Sequence, residues 1–297
     1  MIVRRDVRFA LPPDRINDWH EAGVSTTAFM NAMSLLFPAG ERFFMDAVRY
    51  YRDEITDPVL KQEIAGFIGQ EAMHTREHIE YNDLLEATGM PAEKLDQWLW
   101  KFLGTVRKLG PKAALAITVS LEHYTAIFAG TVLNDPEAMV GGEAGYRQMW
   151  TWHSFEEAEH KAVSFDVWNA VMPPTPSNYL WRSGTMIGTS IVFWAVVVYF
   201  NMELRRAYRR NIGKIGIADR LRLLNRLAGP RRGLFPQVWG QFFEYFKPGF
   251  HPCDQDIRAD QAKLSILLDK ITQANLGYAP NVLPRRVPLH PQAKALA

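Results

Sequence analysis

Cysteine is almost absent from this chain of 297 residues, with Cys253 the single example. That excludes an intramolecular disulfide, a zinc ribbon and an iron–sulfur cluster held by four local cysteines, and it fits a reducing compartment. No flavin or nicotinamide fingerprint is present, nor any low-complexity tract. The opening "MIVRRDVRFALPPD" has no apolar run behind its arginines, so it does not read as a secretory signal and a cytoplasmic location is expected. A strong charge of one sign is also missing: 34 basic and 32 acidic residues leave a net +2. What is plentiful is apolar material. At 47% hydrophobic and 12% aromatic residues, the chain can build a substantial core, as one large domain or two smaller ones.

Long segments with helical apolar periodicity, and few with alternation, predict an all-α protein. "FPAGERFFMDAVRYYRDEI" reads as a helix starting near Pro38, and the next runs from about Pro58 to Thr88. A shorter connecting helix covers "PAEKLDQWLWKFLGTV". Pro111 opens a largely apolar third bundle helix, and a long fourth one is expected from about Glu143 to Val171, before the stop "MPPTPSNY". The domain reading is an N-terminal segment 1–37, a four-helix bundle 38–172, a helical extension 173–287 and an irregular tail 288–297. The extension contains an uncharged stretch, 183–202, followed by an arginine-rich segment, 204–232.

Two short motifs repeat. The second bundle helix carries Glu71-x-x-His74 and the fourth carries Glu157-x-x-His160. Residues three apart share a helix face, so each pair can aim a carboxylate and an imidazole at one point. Two such helices call for a single glutamate from each of two others. Glu41 and Glu122 stand in the right helices. Their heights agree as well: Glu41 lies about sixteen residues before the turn at Pro58 and Glu71 about thirteen after it, within roughly one helical turn at ~1.5 Å per residue. Glu122 lies about twelve residues before its connector and Glu157 about fourteen after the next helix opens, again level at ~1.5 Å per residue.

Four carboxylates and two imidazoles buried together would repel and suffer heavy desolvation unless positive charge sat between them. Two metal ions would supply it. A mixed oxygen and nitrogen set without thiolate favours iron, with manganese as the other choice, over structural zinc. His153 shares the face of Glu157 and His160, either as a third nitrogen ligand or as an outer residue orienting a carboxylate. His78 shares the face of Glu71 and His74 and is expected just outside the ligand set. Asp166, two turns beyond His160, is a candidate to hold a histidine N–H. Glu156 and Glu159 point elsewhere and are expected to be solvated or paired.

The segments "SLLFPAGERFF", "DAVRYYRDEITDP", "FIGQEAMHTREHIEYN" and "WHSFEEAEHKAVSFDVW" resemble a bacterial family described as predicted metal-dependent hydrolases, grouped with ferritin-like di-iron carboxylate proteins. The resemblance spans roughly residues 5 to 256 and includes "KPGFHPCD", where an aromatic residue would be expected in place of Cys253. It implies a ferritin-like four-helix bundle. The pattern of His153, Glu157 and His160 is also similar, locally, to the di-iron arylamine N-oxygenases, in which the extra histidine is a ligand.

Three functions compete for such a site. The favoured expectation is a di-iron enzyme that activates dioxygen to oxidise an apolar or lipid-like small molecule, with electrons from an external donor. The alternative is a metal-dependent hydrolase working through metal-activated water. The second alternative is a non-catalytic iron-binding protein. The stretch 183–202 is long enough to span a bilayer. It reads either as a helix covering the bundle or a homodimer interface, or as one lying on the inner face of the cytoplasmic membrane with the basic segment on anionic headgroups. The arginines come with no nucleic-acid-binding motif, so no nucleic-acid partner is expected.

Overall fold

The computed structural model describes residues 2–135, 138–230, 232–255, 266, 269–273 and 275. Among these residues there are ten α-helices and no strand, apart from one isolated bridge between His20 and Gly142. The helices are α1 (Val24–Ser34), α2 (Phe37–Tyr50), α3 (Pro58–Ala87), α4 (Ala92–Val106), α5 (Pro111–Asn134), α6 (Ala144–His160), α7 (Val163–Val171), α8 (Pro176–Asn211), α9 (Ile217–Ala228) and α10 (Leu234–Glu244). The fold is therefore all-α. The expected irregular tail, 288–297, lies outside the described residues.

Helix starts follow local chemistry. The Asp57 carboxylate accepts the Val59 N–H (2.9 Å) and Pro58 occupies the first turn of α3, where a missing N–H costs nothing. Gly110, at φ +96°, turns the chain into α5, again with proline leading. Glu143 caps α6 by accepting the N–H groups of Gly145 and Tyr146. α2 packs on α3 and on α5, and α5 packs on α6, so the four helices carrying the sequence motifs surround one interior. Residues 2–12 run without helix across the outside of α3 and α6. Its Arg5 reaches Glu156 and Glu159, and the Phe9 N–H donates to Glu77.

Two expectations are corrected. The long fourth helix is two helices, with the break at Lys161 and Ala162 immediately after His160. There the Lys161 ammonium reaches the Gln255 carbonyl (2.7 Å), and α7 restarts with the Asp166 N–H donating to Ala162. The supposed covering helix is also only half a cover. α5 and α8 are both long and apolar enough to cross a membrane, but α5 is 78% buried in protein over its apolar window and α8 only 33%. α8 packs on α1 and α5 with one side and leaves Ile187, Ile191 and Val198 exposed on the other.

Candidate metal centre

Glu41, Glu71, His74, Glu122, His153, Glu157 and His160 all point into one buried volume, each 3% exposed or less. α2 supplies Glu41, α3 supplies Glu71 and His74, α5 supplies Glu122, and α6 supplies the remaining three. Their ligand atoms form overlapping groups, with all atoms of a group within 4.8 Å of one another. One group is Glu71, Glu122, Glu157 and His160; a second is Glu41, Glu71 and His74; a third is His74, His153 and Glu157. A fourth group is Glu41, His78 and His153; Glu41, His74 and His153 tie the second, third and fourth groups into one subsite, and Glu71 and Glu157 link that subsite to the first group.

The outward nitrogen of each imidazole is anchored. His160 donates Nδ1–H to Gln70 Oε1 (2.9 Å), because the Gln70 amide NH2 is already committed to Glu159 and to the Val3 carbonyl. That leaves His160 Nε2 facing Glu71 (3.1 Å), Glu157 (3.4 Å) and Glu122 (3.7 Å). His74 donates Nε2–H to Glu156 (3.0 Å), leaving Nδ1 toward Glu157 at 3.5 Å. His153 is set by a longer relay. Ser34 donates its hydroxyl proton to Asn82 (2.8 Å), so its oxygen accepts Nδ1–H of His78 (2.9 Å). His78 Nε2 then accepts Nδ1–H of His153 (3.1 Å), and His153 Nε2 is left facing Glu157 at 3.2 Å. Burial and the neighbouring imidazoles hold His78 well below its ordinary range, and burial brings His153 down to about 4, so both rings are neutral, as the relay requires.

Nine buried atoms of this cluster have no hydrogen-bond partner: Glu41 Oε1, both oxygens of Glu71 and of Glu122, His74 Nδ1, His153 Nε2, Glu157 Oε2 and His160 Nε2. Orphaned buried acceptors are costly, and here they converge. Burial pushes Glu41 and Glu122 well above the carboxylate range, Glu71 adding to both by charge repulsion. Burial alone would lower His160, but Glu157 and Glu71 outweigh it and hold the ring well above its usual range. Unaided, the cluster can balance its charge only by taking up protons. Divalent cations would do the same through the same atoms, so the donor set fits a metal centre.

Not every candidate belongs. Asp166, carried off by the helix break, pairs with His251 (2.9 Å) rather than with a histidine of the cluster. His78 is bonded to His153, and a ring nitrogen of it also lies within 4.8 Å of a Glu41 oxygen, at the edge of the cluster. Glu156 is fully buried rather than solvated, held between His74 and Arg5. Sequence reasoning missed Gln70, Ser34, Thr75 and Arg5. Thr75 donates to Glu41 (2.8 Å), and Arg5 forms a two-pronged pair with Glu159 (2.6 and 2.8 Å). Gln70 and Thr75 flank the Glu71-x-x-His74 motif, and that adjacency was the available signal. Nothing marked Arg5.

A family described as predicted metal-dependent hydrolases matches residues 3–256, and the chain belongs to that family. No curated protein and no solved structure matches the chain. The match corrects the favoured expectation of dioxygen activation, because the family description is that of the hydrolase alternative. The physical reason is plain: carboxylates and imidazoles that can hold a redox-active iron pair can also hold other Lewis-acidic cations.

Proposed function

We propose that this protein is a dinuclear metal-dependent hydrolase. The observation that carries the reading is the convergence of nine partnerless buried donor atoms on one volume, in a chain whose family is so described. Glu41, His74 and His153 would hold one cation, and Glu122 and His160 the other, with Glu71 and Glu157 shared between them. Paired Glu-x-x-His helices with two single-glutamate helices form the ligand plan of ferritin-like dimetal proteins, and we take that likeness, with iron or manganese as the resident ions, as part of the proposal. Divalent cations there would supply acidified water and a polarised carbonyl or phosphoryl oxygen. The chain's own work is to turn one nitrogen of each imidazole inward, through Gln70, Glu156 and the Ser34–His78 relay, and to cover His160 and His74 with the rings of Phe67 and Trp152. Hydrolysis of nitrophenyl esters and phosphoesters by manganese- or zinc-loaded protein without oxygen tests the reading. Hydrolysis that vanishes with the metal supports it, and metal-loaded protein inert toward every ester and phosphoester overturns it.

We also propose that the protein works against an anionic membrane surface. Ile217, Leu221 and Leu224 recur at helical spacing on α9 and are 58–75% exposed, with Arg220 and Arg222 beside them. Arg206, Arg209 and Arg210 are exposed at the end of α8, past its uncovered apolar stripe. An apolar stripe edged by arginines is the chemistry of an interfacial helix. Sedimentation with anionic but not neutral vesicles is expected. Self-association without any vesicle binding would assign this surface to a second copy of the chain instead.

A further inference from the structure

A cavity of about 1110 Å³ opens onto the cluster. It reaches Glu41, His153 and Glu157 but none of Glu71, His74, Glu122 or His160. The subsite that holds His153 is therefore the one that solvent or a ligand meets. Away from those three residues the walls are predominantly apolar and aromatic, with Phe29, Phe44, Phe102, Phe128 and Phe193 among them, and a second polar group, His20, Asp135 and Arg226, stands at the Asp135 end. The lining follows α5 from Ala113 through Ile117, Leu121 and Phe128 to Asp135, which is about 33 Å of helix at ~1.5 Å per residue. The cluster stands partway along this length, at the level of Glu122. Trp181, Gly188 and Val192 line the cavity and are themselves exposed, so it opens beside the outer face of α8.

Small-molecule pockets hold roughly 300–1,000 Å³ and are lined by apolar side chains with a few polar groups that fix orientation. This one is at or beyond the upper end, is elongated, and gathers its metal-facing polar groups in one place. Its arm from the cluster toward Asp135 is about 20 Å and its arm toward Ala113 about 13 Å, at ~1.5 Å per residue. One leaflet of a bilayer, half of a hydrocarbon core of about 30 Å, is of the same order as each arm. A compact polar substrate would leave most of these walls facing water without a partner.

We propose that the cavity binds a long-chain acyl ester, with its alkyl chain along the apolar walls and its carbonyl at Glu41, His153 and Glu157. Hydrolysis there is balanced without any other reactant than water. The acyl C–O bond breaks, the water oxygen joins the acyl carbon, and a water proton goes to the departing alkoxide, giving a fatty acid and an alcohol. This inference rests on the hydrolase reading for its chemistry but not for its binding site. Chain length should dominate specificity, because each methylene taken out of water strengthens binding about fourfold in the ideal limit.

Two measurements separate the inference from the reading beneath it. The first is binding of a fluorescent C18 polyene fatty acid to metal-free protein, with butyrate and palmitate as competitors. The second is kcat/KM for nitrophenyl esters from acetate to palmitate with metal-loaded protein. Gly188→Phe and Ile117→Trp narrow the cavity from two helices, α8 and α5; a Cβ at Gly188 meets nothing within 4 Å. Saturable C18 binding displaced by palmitate but not butyrate is expected, weakened roughly tenfold or more in either variant that retains its helical spectrum and metal content. If C18 binds but no ester is cleaved, the cavity stands and the hydrolase reading fails. If esters are cleaved but rates do not rise with chain length, or if C18 does not bind, the cavity inference is overturned and the hydrolase reading stands or falls on its own test.

Discussion

Replacing His78 by phenylalanine should weaken one metal subsite and spare the other. His78 is fully buried, stacks against Phe37 (4.5 Å between ring centroids), and carries hydrogen bonds between Ser34 and His153. Phenylalanine retains the ring and its stack but removes both polar contacts. His153 Nδ1–H then loses its acceptor, and a buried donor left alone costs about 1–3 kcal/mol. The ring can avoid that cost by moving its proton to Nε2, where Glu157 lies 3.2 Å away and accepts it. That tautomer turns a proton toward the place a cation would occupy. Outer partners of ligating histidines are commonly worth about 10–100-fold in metal affinity, so a loss of roughly 1.4–2.7 kcal/mol is expected at the subsite of Glu41, His74 and His153. The second subsite draws its imidazole from His160, held by Gln70, and should be unchanged. Anaerobic calorimetric titration with manganese resolves the two. Equal weakening of both, or weakening of neither, would refute the relay as the device that sets His153.

Further consequences concern the same cluster and two other histidines. Glu157→Ala removes a carboxylate shared by the subsites, and metal content should fall from two ions per chain to none that survives gel filtration, by elemental analysis. His20 is held at about 4, below its ordinary 6.5, by burial and then by Arg226. The unfolded chain takes up that proton and the folded chain does not, so stability should fall by about 2–3 kcal/mol from pH 7 to pH 4.5 through this residue. Urea unfolding of His20→Gln should lack that share. The His251 hydrogen bond holds the Cys253 thiol below its ordinary range, and His251 is itself raised to about 10 by Asp166. Iodoacetamide should therefore modify Cys253 several-fold faster at pH 7 than in His251→Gln.

What the sequence could reveal was whatever depends on spacing along one helix or on height between two. Glu71 with His74, and Glu157 with His160, follow from three-residue spacing, and Glu41 and Glu122 follow from counting residues to a shared turn. What lay beyond it depends on groups distant in the chain. Glu156 reads as an outward carboxylate until Arg5, 151 positions earlier, is laid beside it. The relay joins Ser34, His78 and His153 from three helices, and its direction is settled by Asn82. At the break after His160, Lys161 reaches the Gln255 carbonyl, 94 positions further on, which no local propensity announces. The cavity is a negative feature, a space left by residues that each look like ordinary core. The chemistry was misjudged for a further reason: a ligand list specifies charge and geometry, and both hydrolysis and oxygen activation accept that same list.

Anomalous scattering from crystals of manganese-loaded protein would test the metal centre most directly. Two peaks are expected, one enclosed by Glu41, His74 and His153, the other by Glu122 and His160, with Glu71 and Glu157 between them. No peak in this volume, or manganese bound elsewhere while these side chains remain bonded only to one another, would contradict it.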